Sequence, residues 1–411
     1  MIRSIHIENF KSIKTAGLVL PKFGVIIGKN ASGKSTLLNA ISLTQKLAKG
    51  SNLTDSLKGI APLTNELFHF NSNRTSSTIE IVIEASQQTL FKLVYSLSLD
   101  SLTRKLIISD EALYRLQGNN SLPVYKRVSD GVITYPNTGE IHVPLKIDKD
   151  KLTLGGYSSP EVAEIAGIVS NYTIVDNLEK REGVNTVDGE HPDLKTLDGM
   201  VTALFIKDQQ AFRQAVSAAQ QIIPDFRAPI ITDLSKFYTD NSIPNDPTQP
   251  ITNQPINNNF QNGGTPGSEG LKSYIVSWKD QQYGKNYTSV SLSGGNLRTI
   301  YLIFSLFNTQ SFSFFAVEEI ENGMHSDRVF KLIDQFRTQS NNRKVQMLFT
   351  THSLDLLNYV IPQEMIYCIK TDQKGSEYKV ISDMEEYHQI KEELGRKSLT
   401  GKDIIDSGLF S

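Results

Sequence analysis

The sequence predicts an α/β protein: a parallel core sheet built around a phosphate-binding loop, a mixed or antiparallel N-terminal sheet, and an inserted helical lobe. Three observations carry this. Gly28-Lys29-Asn30-Ala31-Ser32-Gly33-Lys34-Ser35-Thr36 places glycines at the first and sixth positions ahead of Lys-Ser, the full P-loop pattern. Strand and helix patterns alternate through the last third of the chain, as in βαβ units. Between these two regions lie first a run of alternating strands and then a run of helical periodicity.

The 411 residues allow two or three domains. A formal charge of −2 argues against a surface coated in positive field for non-specific nucleic-acid binding, while leaving room for a local basic patch. Cys368 is the single cysteine, so no internal disulfide forms, which suits a reducing compartment. Met1 to Glu8 alternates like a strand and does not read as a signal peptide, and no apolar run approaches membrane-spanning length. A cytoplasmic protein that avoids membranes is expected.

In chain order, Ile2, Ile5 and Ile7 mark a strand, followed by Asn9-Phe10-Lys11-Ser12, a short hairpin and the buried strand Gly24–Ile27. Glycines let the loop backbone close on phosphate oxygens, and the N–H groups at the following helix start point at them. Lys34 reaches the β- and γ-phosphates of such a ligand, and Ser35 ligates Mg²⁺; Gly28, Asn30, Ser32, Gly33 and Thr36 complete the cradle. Leu37, Leu38, Ile41 and Ala48 give the helix its buried face. Residues 51–73 read as polar and irregular. Ser77–Ala85 and Leu90–Leu99 form a hairpin across Ser86–Thr89, extended by Leu106–Ile108 and Ala112–Leu116. Weaker strands are expected near Tyr125, Val132–Tyr135 and Ile141–Ile147.

From Ser159 the period becomes helical. Leu194, Leu197, Val201, Leu204, Phe205, Phe212, Val216, Ala219 and Ile222 mark one or two long helices ending near Pro224. Asp188-Gly189-Glu190-His191-Pro192-Asp193 could bind a metal, but reads better as a polar loop capping the helix that begins near Asp193. Residues 242–270, rich in Asn, Pro and Gly, read as a mobile loop. The expected division is therefore 1–158 and 271–411 as the two halves of one head, with a helical insertion at 159–241 and the loop at 242–270. In the second half, helices are expected at Leu297–Leu306, Ser326–Gln339 and Leu354–Val360. Strands are expected at Lys272–Trp278, Phe312–Val317, Val345–Phe349 and Met365–Ile369.

Three motifs there resemble, in order and chemistry, the ABC-type ATPases. Leu292-Ser293-Gly294-Gly295-Asn296 resembles their signature, with Asn296 where transporters usually carry Gln. Phe314-Phe315-Ala316-Val317-Glu318-Glu319 resembles Walker B, and Phe349-Thr350-Thr351-His352 the switch histidine. The resemblance implies ATP and Mg²⁺ as ligands, with Glu318 holding the metal through water, although the family more often has Asp there. Glu319 polarises the attacking water, and His352 contacts the γ-phosphate, beside Lys34. Ser293, Gly294 and Gly295 face the nucleotide of a neighbouring subunit, so a homodimer, or a higher homo-oligomer, closes over two ATP molecules.

Ile7-Glu8-Asn9-Phe10-Lys11-Ser12-Ile13 resembles the opening of SMC-, RecF- and OLD-type members of the AAA family, and Glu319–His325 is similar to the OLD-like ATPases of bacterial antiphage defence. About sixty residues follow His352, too few for the Toprim nuclease domain of OLD nucleases. Asp383, Glu385, Glu386, Glu392 and Glu393, with Lys391, Arg396 and Lys397, read as a solvated helical face. The resemblance therefore implies an ATP-driven switch or scaffold with a separate effector, a nuclease or toxin. The alternative is a RecF-like DNA repair ATPase that binds DNA directly. A third class, a nuclease acting alone, needs a carboxylate cluster away from the ATP site. Gln87 and Gln88 fall in a hairpin turn, and neither is assigned as a Q-loop residue.

Overall fold

The computed structural model describes residues 1–63, 66–69, 74–128, 131–135, 139–144, 148–156, 159–175, 187–224, 226–234, 273–279, 284–308, 313–343, 345–395, 399, 403–404 and 407. The chain divides into two units. Met1–Asp176, Phe312–Glu321 and Arg337–Ser411 make the first; Asn177–Ser311 and Asn322–Phe336 make the second. The expected loop at 242–270, and Arg396 and Lys397 in the tail, lie outside the described residues.

The first unit opens with β1 (Ile2–Phe10) and β2 (Ile13–Val19), paired antiparallel, then β3 (Phe23–Ile27). All five β3 residues are buried, as a strand with neighbours on both edges and both faces requires. Helix α1 (Lys34–Ala48) follows and buries Leu37, Leu38, Ile41 and Ala48. In the stretch expected to be irregular, Asn52 caps a short α2 (Leu53–Leu57) by accepting from Asp55 N. Next come β4 (Ser76–Glu84) and β5 (Leu90–Leu99), whose odd-numbered isoleucines, leucines and aromatics point inward. The pieces expected at Leu106–Ile108 and Ala112–Leu116 are one strand, β6 (Leu106–Gln117), with a register irregularity against β5. The weak signals beyond it are β7 (Asn120–Val128), β8 (Gly131–Thr134) and β9 (Ile141–Pro144).

Residues 159–175, expected within the helical insertion, instead build the first unit. Ser159 caps α3 (Pro160–Ser170), and β10 (Tyr172–Val175) follows it. Gln45 of α1 donates to Tyr172 O at 2.5 Å, and Tyr172 packs its ring 5.2 Å from Phe314. Four residues are too few for period-2 alternation to stand out beside a helix.

The second unit begins with β11 (Val187–Asp188), then α4 (Leu197–Lys207) and α5 (Gln209–Ile222), separated at Asp208, which caps α5 by accepting from Ala211 N at 2.9 Å. Helix α4 starts at Leu197 rather than near Asp193, with Thr196 as its cap. Asp188 is the last residue of β11, and its Oδ1 turns the loop that follows by accepting from Glu190 N at 2.8 Å. Then come β12 (Ile230–Asp233), β13 (Ser273–Lys279), β14 (Asn286–Tyr287) and α6 (Gly294–Phe307). Strand β13 pairs antiparallel with β11, β12 and β14. Edge-to-face contacts of Phe212 with Phe205 and Phe304 lock the three helices.

The remaining elements are β15 (Phe314–Val317), α7 (Ser326–Arg343), β16 (Gln346–Thr350), β17 (Met365–Thr371), β18 (Gly375–Val380) and α8 (Glu385–Glu393), the division between units falling within α7. The helix expected at Leu354–Val360 is a 3₁₀ turn over Leu354–Asn358. The parallel and antiparallel regions form one 14-stranded sheet in the order β10-β15-β16-β3-β17-β18-β2-β1-β4-β5-β6-β7-β8-β9. Pairs from β10 to β17 are parallel, and the rest antiparallel. Buried Gln346 ties the start of β16 to the start of β1. Its amide accepts from Ile2 N at 2.8 Å and donates to Ile2 O at 2.8 Å and Pro21 O at 3.0 Å.

Candidate active site

In the first unit, β3 lies between β16 and β17, and the loop leaves the carboxyl end of this central strand, where α/β sheets bind ligands. Gly33 ends the loop as the residue before α1, at φ 110° and ψ 15°. A Cβ there would stand 2.0 Å from Ser376 Oγ and 2.7 Å from Ser12 Oγ. Only glycine fits both the dihedral and the space.

Behind the loop stands a hydroxyl network that the motif does not announce. Ser12 Oγ lies 2.8 Å from Thr36 Oγ1, and Ser376 Oγ lies 2.7 Å from Ser12 Oγ and 2.5 Å from Ser32 O. Tyr378 donates to Gly33 O at 2.7 Å, and Cys368 Sγ to Ser32 O at 3.4 Å. Ser12 comes from the β1–β2 turn, Cys368 from β17, and Ser376 and Tyr378 from β18, so the β17–β18 hairpin shapes a loop more than 300 residues before it. Of the expected cradle, Asn30 and Ser35 are exposed, whereas Ser32 and Thr36 are buried, the latter committed to Ser12.

Lys34 is buried, and its ammonium donates to Gly28 O at 2.8 Å and Lys29 O at 3.0 Å. Burial lowers its pKa from 10.5, opposed by the charges of Cys368, Glu319, Glu321 and Glu318. Its third neighbour is His352, with Nδ1 at 3.3 Å, and His352 Nε2 faces Glu319 Oε1 at 3.4 Å. Strand ends explain the convergence: β15 stops at Val317 and β16 at Thr350, so their next residues meet at the same sheet edge. Glu318 N donates to Val175 O at 2.8 Å, and Glu319 N to Thr350 Oγ1 at 2.9 Å. Glu319 has φ 47°, a left-handed conformation uncommon for a non-glycine residue that aims its carboxylate at the histidine. Glu321 was not singled out by its position in the sequence, yet its Oε1 accepts from His352 N at 2.5 Å.

The structure thus brings together Lys34, Glu319 and His352, with Glu318 adjacent. Ser293, Gly294 and Gly295 belong to the second unit and form the start of α6. Ser293 is the exposed cap, its Oγ accepting from Asn296 N at 3.3 Å. Gly295 permits close approach: a Cβ there would lie 2.3 Å from Gly323 O.

No helix among the described residues is long and apolar enough to cross a membrane. Comparison with known proteins bears on the family and the fold. Residues 1–378 match the family described as the RecF/RecN/SMC N terminal domain. A Helicobacter pylori protein named ATP/GTP phosphatase is 23% identical over 394 residues, covering 91% of this chain and 94% of its own length. The SMC head bound to the C-winged helix domain of ScpA aligns with TM-score 0.53 at 13% identity, over 92% of this chain and 97% of that one. The Pyrococcus furiosus Smc head with an extended coiled coil, bound to the C-terminal domain of ScpA, aligns with TM-score 0.53 at 12% identity, over 96% and 99%. These two structures establish the likeness of fold. With family match and head architecture in accord, the chain is an ATPase that belongs to the RecF/RecN/SMC N-terminal domain family.

Proposed function

We propose that this ATPase is a nucleotide-driven dimerisation switch, in which ATP held by the first unit of one copy is completed by the α6 start of a second copy. The observation that carries this reading is the Glu319–His352–Lys34 chain at the end of the loop strand. It joins a phosphate-binding cation to a carboxylate placed to act on water. The Gly28–Thr36 backbone and Lys34 bind the β- and γ-phosphates, and glycine at position 33 keeps the cradle open. Ser35, exposed at the first turn of α1, and Glu318, at the end of β15, fit a Mg²⁺ site through hard oxygen donors; Mg²⁺ bound there supplies charge neutralisation for the phosphates. Glu319 orients the attacking water and His352 stabilises it beside the γ-phosphate. Ser293 and the N–H groups of Gly294 and Gly295 close over the partner copy's γ-phosphate. Heads named for complexes with ScpA among the structural neighbours support protein partners for such a switch.

The finer reading is antiphage defence with a separate nuclease or toxin as effector, supported by the likeness of Glu319–His325 to OLD-type ATPases. A cytoplasmic location accords with this role. Glu319→Gln tests the switch: it should bind ATP, turn over slowly and accumulate as a dimer in light scattering, whereas Lys34→Ala should lose binding and dimerisation together. Normal turnover by Glu319→Gln would refute the assignment. Direct, steeply salt-dependent DNA binding would favour the repair reading instead.

A further inference from the structure

The start of α6 is braced by residues 323–328 of the same unit. Arg328 Nη1 donates to Asn296 Oδ1 at 2.8 Å, and Asn296 N donates in turn to Ser293 Oγ at 3.3 Å. Thr299 Oγ1 donates to Gly295 O at 2.6 Å and approaches Met324 Sδ at 3.0 Å. Gly295 sits against Gly323 O, and a Cβ on it would be 3.7 Å from Arg328 Nη1. Arg328 is itself anchored through its backbone N–H to His325 O at 3.0 Å.

The charge of Arg328 is poorly placed for helix stability. It lies in the first turn of α7 and beside the first turn of α6, where it meets the positive ends of two helix dipoles. Among the described residues no carboxylate forms an ion pair with it. What its guanidinium does accomplish is to fix the amide of Asn296, a residue with two side-chain torsions at an exposed helix start. Fixing those torsions in advance removes an ordering cost from any later contact made by this turn.

We infer that Arg328 is a positioning residue for the Ser293–Gly295 turn: through Asn296 it holds the turn in the geometry that receives the nucleotide of a second copy. The inference rests on the dimerisation switch proposed above. It also explains the departure at position 296. Asn is one methylene shorter than the Gln usual in transporters, and Arg328 stands at hydrogen-bonding distance from the shorter side chain.

The test compares parent, Arg328→Ala, Arg328→Lys, Asn296→Ala and the double Ala variant. Two quantities are read: binding of a fluorescent ATP analogue to the monomer, and the protein concentration at which ATP produces dimers in light scattering. Both single Ala variants should bind the analogue within about twofold of the parent and need about tenfold more protein to dimerise, the loss of one charge-assisted hydrogen bond. The double variant should be no worse than either single one, because both break the same link. Arg328→Lys, which keeps a donor, should recover most of the deficit, a rescue not expected from a merely packed side chain. Dimerisation of Arg328→Ala at the parent's concentration, or losses that add in the double variant, would overturn the positioning role alone. A parent that stays monomeric in ATP would overturn the dimer reading, and the positioning role with it.

Discussion

The ammonium of Lys34 lies 3.3 Å from Nδ1 of His352, while Nε2 of the same ring faces Glu319 at 3.4 Å. An ammonium can only donate, so Nδ1 must accept and the ring's proton sits on Nε2, toward the carboxylate. His352 therefore relays orientation between the phosphate-binding cation and the carboxylate proposed to act on water. His352→Ala should lower kcat about a hundredfold while leaving ATP affinity within about threefold, as single-turnover and equilibrium binding measurements can separate.

Two glycines of the proposed composite site should respond oppositely to a methyl group. At Gly33, with φ 110° and Ser376 Oγ 2.0 Å from the added Cβ, alanine should cost at least about 2 kcal/mol in urea unfolding and abolish nucleotide binding. At Gly294 nothing lies within 4 Å, so alanine should leave stability unchanged or raise it by up to about 1 kcal/mol. Any loss of ATP-dependent dimerisation in Gly294→Ala then reports on the interface itself.

Burial pushes the Cys368 thiol above its ordinary 9.0, partly offset by its hydrogen bond to Ser32 and by Lys34 and Tyr378. The folded chain thus holds this proton more tightly than the unfolded one. Its stabilising contribution is fully present below pH 9.0 and is lost as pH climbs through the raised value. Stability curves of parent and Cys368→Ala should diverge only in that alkaline window. At pH 8, iodoacetamide should alkylate the native thiol at least about 10³-fold more slowly than the urea-unfolded chain.

Gln346→Leu should remove about 3 kcal/mol of stability, because Ile2 N, Ile2 O and Pro21 O lose a buried partner at once. The ATP affinity of the folded fraction should be unchanged, since these groups sit at the opposite end of the sheet strands from the loop.

Sequence pattern revealed the parts of the fold and site that local forces determine. Gly24–Ile27 is uniformly apolar because it is central, and the glycine spacing around Lys34 reflects backbone geometry within one turn. Glu318, Glu319 and His352 could be picked out as candidates because each lies within two residues of the end of an apolar strand. Ser376, Tyr378 and Cys368 were not, since nothing in their own neighbourhood records that they back the loop. That relation depends on strand order, which pairs residues far apart in the chain. Leu354–Val360 misled for the reverse reason: its apolar spacing suits a helix, but the segment closes as a 3₁₀ turn.

Ser32 and Ser376, hydrogen-bonded partners, are 344 positions apart. A ribosome delivering this chain at roughly 5–20 residues per second presents β3 and its loop some tens of seconds before the strands that flank them. During that interval an apolar strand waits with both edges open, the condition under which nascent chains pair wrongly. Nucleotide binding cannot assist its early folding, because the hairpin that shapes the loop is still unmade. The loop strand therefore gains both its neighbours and its shape only once β16, β17 and β18 have been made.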